Sequence, residues 1–202
     1  MSAAPSIVRA AAPAFVAALL AACAQAPVAP HAASPEPYTA ERFALFVNDI
    51  RHGKCEQIAS EVKAGASIDG FDTLDQTPLL AAIAQNQVAC VARLLDAGAD
   101  VNLADHAGWS PLIHAAYFGS DTQIIELLLA RGANINAQND RGLTALYLAS
   151  AAGHEPQVQL LLARGADPSI ASKNGYTPLR VAQVRGLKNI VALLEARPAA
   201  VP

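Results

Sequence analysis

Aromatic residues are scarce in this sequence, 5% of 202 residues with a single Trp. The 53% hydrophobic content is carried largely by Ala, which describes helices packed through small side chains and not a membrane bundle. Charge is sparse too, at 15%, and no run of Lys or Arg forms a basic stripe, so nucleic acid is not an expected partner. The formal net charge of −3 suits a cationic partner slightly better than an acidic one and decides nothing more. Phosphate-binding loops, dinucleotide fingerprints and Gly-x-Ser-x-Gly elbows are missing. His52, Cys55 and Glu56 come nearest to a metal cluster, but Gly53 interrupts the helix between them and no second pair completes a site. No cofactor is expected, and an enzyme or metal-binding protein is the remote alternative.

What is present begins with a targeting pattern over residues 1–22. Arg9 is its only charge, and the AAAPAFVAALLAA that follows is thirteen uncharged residues, suited to a signal peptide and short of the roughly 20 needed to span a bilayer. The segment closes on Leu20-Ala21-Ala22-Cys23, which resembles the lipobox of bacterial lipoproteins. That resemblance implies diacylglycerol on the Cys23 sulfur, cleavage just before it and acylation of the new amino terminus. Ala24, in place of Asp, implies the outer membrane by the same family's sorting rule. Several acyl chains supply the two or more signals that stable anchoring requires. A plain cleaved signal, leaving a soluble periplasmic protein, and an uncleaved tail on a cytosolic one are the alternatives. Residues 23–38 then form a Pro- and Ala-rich tether of about 3.1 Å per residue, on the order of 45 Å in reach, with His31 a solvated linker residue.

From Gln76 onward the chain repeats itself. QTPLLAAIAQNQVACVARLLDAGADVNLADHAG, residues 76–108, has relatives at 109–142 and 143–175 and a shortened copy at 176–197, before a tail at 198–202. Thr77, Ser110, Thr144 and Thr177 open the copies, and Gly65, Gly98, Gly132 and Gly165 close each second helix; both markers step by 33, 34 and 33. The extra residue therefore lies in the FGSDTQ segment of the second copy, between its helices, where insertion costs little. Thr-Pro caps the first helix of a copy and gives up an amide that had no partner. Leu94-Leu95, Leu127-Leu128 and Leu160-Leu161 are expected to face the core from the second helices, and the Gly residues supply left-handed exits. Residues 39–75, capped by Thr39, form a divergent N-terminal unit whose second helix is predicted over Cys55–Ala64.

These motifs together resemble the ankyrin repeat, strongly over Gln76–Ala196 and weakly over Thr39–Asp75. The resemblance implies an all-α solenoid of about five stacked helix-turn-helix units with short turn fingers, filling residues 39–197. Departures are visible. The His that the family favours after Thr-Pro-Leu is replaced by Leu80, Ile113, Tyr147 and Arg180, so stacking is expected to lean on apolar contact. Asp75 stands where a turn Gly is usual, and fraying is expected at Phe71–Gln76. Cys55 aligns with Val88, two residues out of phase with Cys90 on the next helix. Helices 8–10 Å apart exceed the Cα reach of a disulfide, and a buried free thiol is expected at Cys90.

Ankyrin domains generally recognise proteins through their finger tips and the exposed side of the first helices. On that implication the residue before each opening Thr forms a column of Gln76, Trp109, Leu143 and Tyr176, unusually apolar for a tip. Tyr117 and Phe118 fall on the same side, and His106, Asp140, Arg141 and Lys173 form a charged rim. Trp109, Tyr117, Phe118 and Tyr176 are expected to anchor a protein partner, an apolar centre within a polar rim being common anatomy for a binding hot spot. His114 and His154 read as surface or groove residues. The expected whole is a monomeric, non-catalytic, lipid-anchored envelope protein. It would either neutralise a secreted toxin in the manner of an immunity protein or scaffold and protect a periplasmic oxidative-stress enzyme.

Overall fold

A computed structural model describes residues 38–196; Cys23, most of the tether and the tail lie outside them. Among the described residues there are ten helices and no strand, forming five successive pairs. They are α1 (Ala40–Arg51) with α2 (Ile58–Lys63), α3 (Pro78–Ala84) with α4 (Val88–Asp96), α5 (Pro111–Phe118) with α6 (Thr122–Ala130), α7 (Ala145–Ala152) with α8 (Glu155–Ala163), and α9 (Pro178–Val184) with α10 (Lys188–Glu195). The opening helices stack in order from α1 to α9, and α4, α6, α8 and α10 stack as a second layer. None of these helices is long and apolar enough to cross a membrane.

Each pair is built by the chemistry its opening letters announce. Thr39, Thr77, Ser110, Thr144 and Thr177 accept at the side-chain oxygen from the N–H three residues on, at 3.1 to 3.4 Å. Ala81, Ala82, Ala115, Ala116, Ala149 and Ala182 are fully buried and let neighbouring opening helices approach closely. At the far end of α2, α4, α6 and α8, Ala66, Ala99, Ala133 and Ala166 donate back to the carbonyls of Glu61, Leu94, Leu128 and Leu161, closing Schellman turns through the preceding Gly.

The core confirms the leucines but corrects their pairing. Leu94, Leu128 and Leu161 are fully buried, whereas Leu127 and Leu160 are only half-buried. The extra residue at Ser120–Asp121 shifts everything after it by one, so the counterpart of Leu94 is Leu128. The helix predicted over Cys55–Ala64 starts only at Ile58, while the buried free thiol expected at Cys90 is present. Cys55 precedes α2, and from that turn it reaches Cys90; both are buried free thiols. Burial and the adjoining Cys55 thiol push the Cys90 pKa up.

Polar stitching of a kind unforeseen from the sequence runs along the solenoid. Asp69 accepts from Asp100 N–H, Asp100 from Asn102, Asn102 from Asn134, Asn134 from Asn136, Asn136 from Asp167, and Asp167 from Ser169, at 2.8 to 3.1 Å. Bonds within a turn alternate with bonds to the next turn, so one relay passes through four of the five pairs. Apolar stacking at the family's His position holds for Leu80 and Ile113, which are buried; Tyr147 is half-buried and Arg180 exposed.

Candidate interaction surface

The fingers are short loops clasped at both ends. In each, residues four apart exchange backbone bonds: Asp72 with Gln76, Asp105 with Trp109, Asn139 with Leu143 and Ser172 with Tyr176. The first partner donates its N–H to the carbonyl of the second, whose own N–H returns to a side-chain oxygen. The expected fraying at Phe71–Gln76 meets this same clasp, reinforced by the ion pair of Arg51 with the buried Asp72 carboxylate. Burial opposes ionisation of Asp72, but Arg51 and the N–H groups of Gln76 and Leu74 outweigh it and hold the pKa below the usual carboxylate value. Asp75 adopts φ 58° where Gly108, Gly142 and Gly175 lie between 73° and 77°. Its carboxylate offsets that strain by accepting from the His106 N–H and pairing with the His106 ring.

On the second repeat four rings close a cycle. Trp109 meets Tyr117 edge-on at 5.2 Å, Tyr117 meets Phe118 at 5.3 Å, Phe118 stacks on His114 at 5.8 Å, and His114 returns to Trp109 at 5.4 Å. His114, Tyr117 and Phe118 share one face of α5 by their spacing of three and four, and the clasped finger folds Trp109 onto that face. Tyr117 and Phe118 remain 46% and 49% exposed, an apolar surface that would be covered at little further entropic cost because the rings already hold one another. His114, expected as a surface or groove residue, lies on the groove side as the mostly buried fourth side of this ring. Its Nε2–H donates to Asp105 Oδ2 at 3.0 Å, while Asp105 Oδ1 holds the N–H groups of Ala107 and Trp109. Burial lowers the His114 pKa, with Asp105 offsetting part of the effect. His154 donates to the Tyr117 carbonyl at 3.0 Å and braces the end of α5 from the next repeat.

The other expected site residues divide. Asp140, Arg141, Leu143 and Lys173 come together with Tyr147, Ser172 and Asn174 around an open cleft of about 470 Å³ between the third and fourth fingers. Leu143 is half-buried against the core, so it serves as wall more than tip. Tyr176, two repeats along, is 43% exposed and forms no ring pair within the Trp109 cycle. His106 turns to Asp75 and Phe71 in the first finger. Among the described residues no three His, Cys, Asp or Glu converge on a metal-sized site, and His52 donates to the Asn48 carbonyl.

A sequence model described as ankyrin repeats (3 copies) matches residues 50–139 and 116–200. Over 108 residues the chain is 32% identical to BRCA1-associated RING domain protein 1 of Caenorhabditis elegans, covering 54% of this chain and 15% of that protein. Over 99 residues it is 33% identical to protein phosphatase 1 regulatory subunit 27 of Mus musculus, 48% of this chain and 64% of that one. Ankyrin repeat and SOCS box protein 11 of Mus musculus is 45% identical over 75 residues, 36% of this chain and 22% of its own length. The chain thus spans less than two thirds of each of these relatives.

Proposed function

The chain belongs to the ankyrin repeat family, a family of protein-interaction modules, and on that premise we propose that it holds a partner protein through the aromatic cycle of its second repeat, from a lipid anchor in the bacterial envelope. One observation carries the binding reading: four mutually packed rings, two of them nearly half exposed, on the face that the fingers border. Envelope anchoring is supported by Leu20-Ala21-Ala22-Cys23 following a short apolar run, and Cys23 is the acylated residue on this reading. The family model begins at residue 50, beyond that segment.

The test is affinity capture from native envelopes with the mature protein and with the Trp109→Ala/Tyr117→Ala double variant. Loss of two central aromatic anchors should weaken the captured complex by at least about tenfold, or more than roughly 1.4 kcal/mol, while helicity and the melting transition persist. Unchanged capture by a folded double variant overturns the site. For the anchor, metabolic palmitate should label the wild-type chain and not Cys23→Ser; label that survives the substitution overturns it.

A further inference from the structure

The cleft between the third and fourth fingers carries two cations that form no ion pair among the described residues. Arg141 and Lys173 line it, Arg180 stands exposed one repeat beyond Tyr147, and none of the seven ion pairs among the described residues includes any of the three. The carboxylate in the cleft, Asp140, lies over Gly108, where a Cβ would meet its Oδ1 at 2.9 Å, and so belongs to the contact between the second and third fingers. Tyr147 and Asn174 add neutral donors to the same walls.

Charge along the chain is divided in the same sense. Residues 39–108 carry five Lys or Arg against ten Asp or Glu, and residues 109–197 carry eight against six. The overall −3 therefore conceals an acidic first half and a mildly basic second half.

We propose that the cleft between the third and fourth fingers receives carboxylate side chains, so that the bound segment of the partner is acidic, with an apolar residue seated on the Trp109 cycle. The inference rests on the binding-module reading and specifies its partner. Repeats stack roughly 10 Å apart, and an extended peptide advances about 3.3 Å per residue, so the apolar residue and the first carboxylate lie about three residues apart. Selectivity comes from the unpaired cations, and adhesion comes from the rings.

Two fluorescein-labelled peptides test this: Ser-Trp-Gly-Ser-Glu-Glu-Glu and the same sequence ending in three Lys. Their binding to the mature protein is followed by anisotropy at low salt. The Glu peptide should bind at least tenfold more tightly, although the net charge of the protein favours the Lys peptide, and the preference should shrink at high ionic strength. Arg141→Glu/Lys173→Glu, both on exposed finger tips, should reverse the order with the melting curve unchanged. Equal binding of the two peptides, no binding of the Glu peptide, or a preference that survives the double reversal overturns the proposal, as does tighter binding of a dT12 oligonucleotide. Trp109→Ala should weaken both peptides by a similar factor and keep their ratio. If it weakens neither, the aromatic reading fails while the acidic preference stands, so the two failures are told apart.

Discussion

A histidine kept out of water resists protonation, and His114 makes the aromatic cycle sensitive to acid. Its pKa is lowered in the folded state from an ordinary value of 6.5, so below that value the unfolded chain binds the proton first. The stability this neutral ring supports is complete above about pH 6.5 and is lost as pH falls from there through the folded-state pKa. Glu61 and Asp72, lowered from 4.5 and 3.8, act in a separate and more acidic window. The melting temperature should therefore begin to fall as the pH drops below about 6.5, and His114→Gln, which keeps a donor for Asp105 but does not titrate, should flatten that slope. An unaltered slope in the variant would assign the effect elsewhere. The part His114 plays in the cycle is only half legible in the sequence. Its spacing of four from Phe118 already placed it among the aromatics, but the fold of the finger that returns Trp109 to the helix is not written in spacing.

At the scale of the element, the caps, glycine exits and opening prolines were legible because each acts on amides within a few residues of itself. The relay from Asp69 to Ser169 was not, although Asp or Asn recurs at 100, 102, 134 and 136. Its inter-turn acceptors lie 31 or 32 residues from their donors, and only stacking reveals the pairing. Asn102 accepts from Asn134 N–H and donates to the Gly132 carbonyl at 3.2 Å. Asn102→Ala should cost about 1–2 kcal/mol, a few degrees in the thermal midpoint of a chain this size, at the joint between the first and second full repeats. Ser169→Ala, at the end of the relay, removes only a local hydroxyl bond to Asp167 and should change stability by less than about 0.5 kcal/mol. Equal effects from the two variants would show that the relay contributes nothing as a chain. The same distance dependence explains the cysteines: alignment placed Cys55 on a helix two residues out of phase, and the late start of α2 lets a turn bring it to Cys90.

For the whole molecule, the sequence disclosed the count of pairs and their order, because a repeat states its architecture several times over. It did not disclose the closed cycle of rings, since that depends on the clasped finger folding Trp109 back onto α5. The relay adds one property to that architecture. Each turn offers the next an acceptor of the same kind at the same place, so the turns are interchangeable couplings, and the solenoid behaves as a train from which a carriage can be uncoupled. Removing residues 109–142 joins Gly108 to Leu143 and leaves Asn102 facing the Asp167 amide in place of Asn134. That chain should fold cooperatively with a lower melting temperature and its helicity per residue conserved, yet without the ring proposed to seat the partner. Circular dichroism and peptide anisotropy on the one deletion would then separate what holds the train together from what it carries.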